Sequence, residues 1–306
     1  MKEKNFISAV VYVNNCEEII HDFLKSLETI LLKNFNHFEI ICVNDASTDN
    51  SVQVIKKLAE HTSSNITLIN MSFHQGRELA MNAGIDLAIG DFVYEFDTPY
   101  MDYDLDIILE AYKQSLKGFD IVNVCPNKSK YLSSKLFYFI FNKFSNSQYK
   151  ISTDTFRILS RRAINRINSI NKNIPFRKAI YANCGLKLSN INYNQNSSKK
   201  DHSNRSLDRK KTASEALVLF TDIGYKFSFF LAVIMMLTTV AVGIYTIIIF
   251  TNSTPIDGWT TTMLFLSFGF FGIFALFAIV LKYLYIIINL IFKNKQYLIE
   301  SIDKLN

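Results

Sequence analysis

The chain has 306 residues, 49% of them hydrophobic, and a formal charge of +6 from 33 Lys and Arg against 27 Asp and Glu. That is ample for a core and for one large or two ordinary domains, while the charge is modest for a nucleic-acid binder and comes with no RNA-binding, zinc-finger or helix-turn-helix signature. Cys16, Cys42, Cys125 and Cys184 are scattered without the paired spacing of a zinc or redox motif and read as reduced cytosolic thiols.

The opening MKEKNF leads straight into the strand-like ISAVVYV rather than a long apolar region with a cleavage site, so no signal peptide is expected. A helix follows, with apolar positions Ile19, Ile20, Phe23, Leu24, Leu27 and Leu31. FEIICVNDASTDNS, from Phe38 to Ser51, is the most informative stretch. Ile40 to Val43 is an unbroken apolar run of the kind found in parallel strands covered on both faces, and ligands of open α/β sheets bind outside the carboxyl ends of such strands. Asp45 falls at that end, where a carboxylate can accept hydrogen bonds from a base or ribose, and Ser47, Thr48 or Asp49 caps the next helix. A simple N-cap turn explains the same stretch equally well.

Ile66 to Ile69 reads as a third strand, Glu78 to Ala88 as a helix, Phe92 to Phe96 as a fourth strand, Asp104 to Leu116 as a helix and Ile121 to Val124 as a fifth strand. This alternation implies a mostly parallel sheet with helices on both faces. KYLSSKLFYFIFNKF, Lys130 to Phe144, is either an amphipathic helix on a bilayer surface or an ordinary core-packing helix. The polar stretch from Asn190 to Ser206 reads as a mobile loop.

Phe227 to Phe250 is free of charge over 24 residues, about 36 Å of helix, which spans a hydrocarbon layer. Met263 to Leu281 is a second such run of 19 residues, and apolar character resumes after Lys282 as far as Phe292. A two-helix membrane hairpin is expected. Lys210, Lys211 and Lys226 precede it, Lys293 and Lys295 follow it, and the loop from Thr251 to Thr262 carries no Lys or Arg, so both termini should be cytosolic. The basic cluster of Lys199, Lys200, Arg205, Arg209, Lys210 and Lys211 suits anionic headgroups, or is a solvated loop obeying the same rule. The expected division is a cytosolic domain over 1–190, a basic juxtamembrane segment over 191–226, the two spans over 227–292 and a cytosolic tail over 293–306.

Several motifs go together: Asn15 and Glu17 after the first strand, Asp45 after the second, and Gly76, Arg77 and Glu78 followed by Ala80, Gly84, Ala88, Gly90 and Asp91. Phe156, Arg157, Ser160 and Arg161, and PIDGWTTTM from Pro255 to Met263, complete the set. It resembles membrane-attached family 2 glycosyltransferases of the dolichol-phosphate mannose synthase type, in particular bacterial polyprenyl-phosphate glycosyltransferases with two C-terminal transmembrane helices. The resemblance covers nearly the whole chain. It implies a GT-A-like α/β domain that transfers a single sugar from a nucleotide-diphosphate sugar to polyprenyl phosphate, of the undecaprenyl phosphate type, with inversion. The setting would be the cytosolic face of a bacterial inner membrane, supplying lipid-linked sugar for cell-envelope polysaccharide. A homo-oligomer is compatible with the sequence.

By the same resemblance Asn15, Glu17, Asp45, Gly76 and Arg77 hold the nucleotide sugar, and Asp97, Asp154 and Arg157 are catalytic. Arg161, Arg205, Arg209 and Lys210 meet the lipid phosphate, and Asp97 with Asp102 holds Mg²⁺ or Mn²⁺. The acceptor phosphate, with a second pKa of about 6, is already largely ionised near neutral pH and needs positioning more than deprotonation. Two departures stand out. The family's Asp-x-Asp reads Asp97, Thr98, Pro99 here, and Thr155 replaces the aspartate before Phe-Arg, with Asp154 one residue earlier. A processive polysaccharide synthase would need a Gln-x-x-Arg-Trp motif, and the single tryptophan, Trp259, lies between the spans. The remaining alternative is a catalytically impaired, membrane-bound binding or scaffold protein of the same fold.

Overall fold

The structure, a computed structural model, describes residues 2–127, 132–145, 148–170, 176–195 and 297–305, with scattered positions between 213 and 287. Strand β1 (Ile7–Val13) is buried at every position, as a strand with helices on both sides must be. It pairs in parallel with β2 (Phe38–Asn44) on one side and β4 (Phe92–Phe96) on the other, and β2 pairs in parallel with β3 (Asn65–Met71). With β5 (Ile121–Pro126), β6 (Phe156–Ser160), β7 (Leu188–Tyr193) and β8 (Ile299–Lys304), the sheet has eight strands in the order β7-β5-β6-β4-β1-β2-β3-β8. β6 runs antiparallel to both β4 and β5, and β8 antiparallel to β3, so the sheet is mostly parallel with two reversed strands.

Successive side chains of β1 point to opposite faces, and each face has its own helices. Helix α1 (Glu17–Asn34) buries Ile20, Phe23, Leu24, Leu27, Ile30 and Leu31 in the same cluster as Ile7, Ala9, Val11 and Val13, with the Phe23 ring edge-on to Phe96 at 5.3 Å. Fully burying side chains of this kind contributes roughly 1.5–3 kcal/mol each. Ile19, on the predicted stripe, is instead exposed. α2 (Ser51–Ala59) follows β2, and α3 (Arg77–Leu87) follows β3 and crosses the other face. Gly84 makes that crossing close: a Cβ there would run into the side chains of Val10 and Val43. α4 (Asp106–Leu116), α5 (Leu132–Phe144), α6 (Arg161–Ile170) and α7 (Arg177–Asn183) are the other helices among the described residues of this unit. In α5, Phe141 is buried against Phe137 and Phe176 whereas Leu136 and Phe139 are exposed, so one side packs as a core helix and the other faces outward.

Two expectations about boundaries change. β7 carries the sheet through Asn190 to Tyr193, because its polar side chains alternate with half-buried ones beside β5, so the polar stretch begins as a strand. The segment expected as a cytosolic tail over 293–306 contains β8, whose alternation of half-buried and exposed residues suits an edge strand on β3. The chain divides into two units, Met1–Ala213 with Lys295–Asn306, and Ser214–Asn294. In the second unit the described residues other than Thr221 are helical, Gly272 packs on Met235, and Phe230, Leu237, Phe270 and Phe277 are exposed. Among the described residues no helix is long and apolar enough to cross a membrane. The expected spans at 227–250 and 263–292 and the loop at 255–261 fall largely outside the described residues, as do Arg205, Arg209 and Lys210.

Candidate active site

Three parallel strands deliver polar side chains to one edge of the sheet: Asn14 and Asn15 after β1, Asn44 and Asp45 at the end of β2, and Asp97 after β4. The two loops after β1 and β2 are sewn together. Asn15 Oδ1 accepts from the Thr48 N–H (2.8 Å), Glu17 Oε2 from the Asn50 N–H (2.8 Å), and the Glu17 N–H donates to Asp49 (2.9 Å). Both loops enter the left-handed region, at Asn15 (φ 48°) and Ala46 (φ 52°); asparagine tolerates this readily, alanine does not. Burial pushes the Asp49 carboxyl up, but hydrogen bonds from Ser51 and the Glu17 backbone outweigh it and hold it below its ordinary value. None of the three expected caps of α2 stands at its N-cap, which is Asn50 and makes no side-chain cap hydrogen bond; Asp49, one residue earlier, accepts from the Ser51 N–H at 3.0 Å.

Asp45 departs from its expected part. Its side chain is fully buried, with Oδ1 accepting from the Gln75 N–H (2.8 Å) and Oδ2 from the Gly76 N–H (2.9 Å) and the Tyr12 hydroxyl (3.0 Å), and His74 Nδ1 lies 3.0 Å from Oδ2. The carboxylate is therefore spent on protein donors rather than facing a base or ribose. What it does is fix the turn after β3, so that Gly76, at φ 90°, starts α3 with Arg77 as its first residue. Arg77 has spare capacity: its ion pair with Glu78 is long, at 3.8 Å, and its Nε is buried with no hydrogen-bond partner. Burial disfavours its charge, but Asp97, then Glu78 and Tyr12, outweigh it and raise its pKa.

Asp97 belongs to a buried ion network. β6 lies antiparallel to β4 with Arg157 opposite Glu95, and the guanidinium of Arg157 donates to Glu95 (2.7 Å), Asp97 Oδ2 (2.9 Å) and Asp154 (2.9 Å). Arg177, at the start of α7, donates to Glu78 (3.1 Å), Glu95 (3.0 Å) and Asp97 Oδ1 (2.7 Å). Lys178 is ion-paired with Asp154, and the Tyr181 hydroxyl donates to Glu95 at 2.6 Å while its ring lies under Arg157 at 5.4 Å. Burial alone would raise the Asp97 carboxyl; Arg157 and Arg177, then Arg77 and Lys178, outweigh it and hold it well below the usual carboxylate range. Asp154 is held low in the same way by Arg157 and Lys178.

Asp97, Asp154 and Arg157 thus come together as expected, but Arg157 is 1% exposed and its donors are engaged by three acids, so it is an interior clamp rather than an open phosphate binder. Asp102 accepts from the Tyr193 hydroxyl (2.6 Å) and Gln195 (2.9 Å), and Tyr193 in turn is 2.6 Å from Thr155, the residue standing in the place of the missing aspartate. The expected Mg²⁺ or Mn²⁺ site at Asp97 and Asp102 fails on this donor set. Both Asp97 oxygens already accept from guanidinium groups, Pro99 offers no side-chain donor, and among the described residues no three His, Cys, Asp or Glu side chains converge as a metal site. Arg161 is at the other end of the sheet. Ser160 pairs with Phe92 at the start of β4, about 13 Å of strand from Phe96, and Arg161 donates to the carbonyls of Gly90 (2.6 Å) and Ala88 (2.8 Å), stapling the turn before β4.

Sequence reasoning missed Glu95, Arg177, Lys178 and Tyr181. Glu95 had a signal, a lone acid inside the buried strand FVYEF, which demands a cationic partner. Arg177 had none, since its partners lie 80 and more residues away.

In open α/β sheets ligands bind outside the carboxyl ends of the parallel strands, the edge at which these polar side chains gather. Residues 8–167, just over half of the chain, match Glycosyl transferase family 2, and the chain belongs to that family. Its relatives include an uncharacterized glycosyltransferase, sll0501, of Synechocystis sp., 29% identical over 189 residues that cover 59% of this chain and 58% of the relative. The putative glycosyltransferase CsbB of Bacillus subtilis is 26% identical over 254 residues, 80% of this chain and 75% of the relative. A prophage bactoprenol glucosyl transferase homolog of Escherichia coli is 29% identical over 195 residues, 61% of this chain and 62% of the relative. The chain thus spans less than two thirds of the length of the first and last of these. Among solved structures, the mannosyltransferase PcManGT from Pyrobaculum calidifontis, in complex with GDP-Man and Mn²⁺, shares the fold with a TM-score of 0.50 and 15% identity over 70% of this chain and 61% of that one.

Proposed function

We propose that this glycosyltransferase moves one sugar from a nucleotide-diphosphate sugar to polyprenyl phosphate, with inversion, at the cytosolic face of a bacterial cell membrane. The observation that carries the donor half is the convergence, at the carboxyl edge of β1, β2 and β4, of the α3 N-terminus, the partly unpartnered Arg77 and the Asp97 network. The acceptor half is supported by relatives named as bactoprenol glucosyl transferases, at 28–29% identity. Exposed Phe230, Leu237, Phe270 and Phe277 in the second unit suit a lipid-facing hairpin, and the outward Leu136 and Phe139 of α5, with Lys135 and Lys143 on the same helix, suit a bilayer surface. The dolichol-phosphate mannose synthase type and cytosolic termini belong to the same reading.

In the reaction, an oxygen of the lipid phosphate forms a bond to the anomeric carbon, and the bond from that carbon to the donor's diphosphate oxygen breaks, its electron pair leaving with the nucleoside diphosphate. No proton need be taken from an ionised acceptor, so the protein's work is to hold both partners in line and to stabilise the leaving charge. Asn15 and Glu17 serve by locking the nucleotide-side loops, Asp45 and Gly76 by fixing the start of α3, and Arg77 by meeting the diphosphate. Arg205, Arg209 and Lys210 are the candidates for the lipid phosphate.

The test is full-length protein in detergent with polyprenyl phosphate and a panel of nucleotide sugars. The expected result is release of nucleoside diphosphate only when the lipid is present, together with a lipid product heavier by one sugar. Donor binding without turnover across the panel overturns the assignment.

A further inference from the structure

We propose that this protein binds its donor diphosphate without a divalent ion, through Arg77 and the first turn of α3. The inference rests on the nucleotide-sugar reading above and adds how the leaving charge is met. It starts from a conflict between the fold and the residues. A hard cation such as Mg²⁺ uses one or two protein carboxylates with substrate phosphates and water, at oxygens free to turn towards it. Asp97 offers none: Arg157 takes one oxygen at 2.9 Å and Arg177 the other at 2.7 Å, and both guanidinium groups are themselves anchored on Glu95. Freeing Asp97 would leave two buried cations short of a partner, the costly outcome of breaking a buried ion pair. The next candidate positions do not help, since Thr98 and Pro99 carry no carboxylate and both Asp102 oxygens accept from Tyr193 and Gln195. A doubly charged ion would also have to settle among Arg77, Arg157, Arg177 and Lys178, the four cations that already act on Asp97.

Arg77 supplies what the ion would have supplied. It stands at the first position of an eleven-residue helix whose cap, Gly76, brings no side-chain hydrogen bond. The first-turn N–H groups of a helix have no partner within it, and the helix dipole adds positive potential there. The Arg77 side chain is 28% exposed while its Nε is buried with no hydrogen-bond partner, so the guanidinium keeps a donor to spend, and a buried donor left unsatisfied is costly. Next to the Gly76 position there is open space, with nothing within 4 Å of where a Cβ would stand. Behind it, the Arg157 and Arg177 charges are fixed by their acids and provide a preorganised positive field that needs no reorganisation when the leaving group departs.

The experiment uses full-length protein in detergent, UDP and GDP as probes, and two readouts that do not require turnover. Calorimetric affinity for whichever nucleotide binds should agree within about twofold between EDTA and saturating Mn²⁺, and Arg77→Ala should weaken it about tenfold to a hundredfold, with Arg77→Lys recovering part of the loss. The paramagnetic resonance spectrum of Mn²⁺ should stay that of the free ion when protein is added. Affinity that rises tenfold or more with Mn²⁺, Mn²⁺ uptake that disappears in Asp97→Asn, or an Arg77→Ala variant that binds as well as the parent each overturns the proposal. If neither nucleotide binds, Mn²⁺ uptake by the protein decides alone. Failure of lipid glycosylation with metal-independent nucleotide binding intact would sink the acceptor assignment and leave this one standing.

Discussion

Asp45 and Asp97 occupy equivalent places, each a carboxylate at the carboxyl end of a parallel strand and each almost or wholly buried, yet they are satisfied in opposite ways. Asp45 is met by two backbone N–H groups, the Tyr12 hydroxyl and His74; Asp97 is met by two guanidinium groups. The first arrangement shapes the backbone: it holds one particular turn in place, and its loss releases that turn. The second balances charge over residues from β4, β6, α3 and α7, so removing any member strands an opposite charge in a medium that solvates it poorly. One cluster sets geometry and the other sets potential, and a donor site needs both.

The largest effect should come from breaking the charged side of that pair. Arg177→Met leaves Glu78, Glu95 and Asp97 short of a cation and should cost about 3–5 kcal/mol, a fall in melting temperature of roughly 6–20 °C. A drop within 2–3 °C would mean that the network relaxes without it, against the expected scale for buried pairs. Next comes acid. Asp97 and Asp154 have folded-state values below that of the unfolded chain, near 3.9, so their stabilisation is complete above about pH 4 and is lost as pH falls through the folded values. Each should add a slope of about 1.4 kcal/mol per pH unit in that range, and urea midpoints measured downward from pH 5 should fall less steeply in Asp97→Asn.

Asp45→Asn tests the uncharged side. A carboxamide retains one acceptor oxygen, so one of the Gln75 and Gly76 N–H groups loses its partner, at about 1–3 kcal/mol, and nucleotide affinity should fall with it as α3 loses its fixed start. Normal affinity in a variant with the reduced stability would uncouple the brace from the site. Smaller still, Ala46→Gly relieves a left-handed backbone and should stabilise by up to about 1 kcal/mol, read as a raised denaturation midpoint. Arg161→Ala, which removes a staple at the far end of the sheet, should leave nucleotide affinity unchanged within error of calorimetry.

The parts of the fold that could be read from residues are those where burial writes a pattern. ISAVVYV, FEIICV and Phe92 to Phe96 are continuous apolar runs because both faces are covered, and β1, β2 and β4 lie where those runs are. β6 was seen only as a motif carrying Arg157, and β7 and β8, as LSNINY and IESIDK, are too polar to separate from loop or tail; they are strands because β5 and β3 offer them edges, information that belongs to the partner strand. The site divides in the same way. Asp45 was legible as a residue at a strand end, but its saturation depends on Gln75 and Gly76, thirty residues on, and the pairing of Asp97 with Arg177 spans 80 residues. Spacing in sequence reports local geometry, and a buried ion network has none.

The edge strand β8 makes the sheet unit discontinuous in the gene. Leu298 exchanges hydrogen bonds with the Gln75 side chain in both directions, at 2.7 and 2.9 Å, and Tyr297 donates to Asp86 on α3, so a segment 223 residues downstream closes over the same turn that Asp45 grips from inside. Donor affinity should then depend on that downstream segment, and a product truncated before residue 297 would present β3 as a bare strand, open to pairing with whatever extended segment it meets.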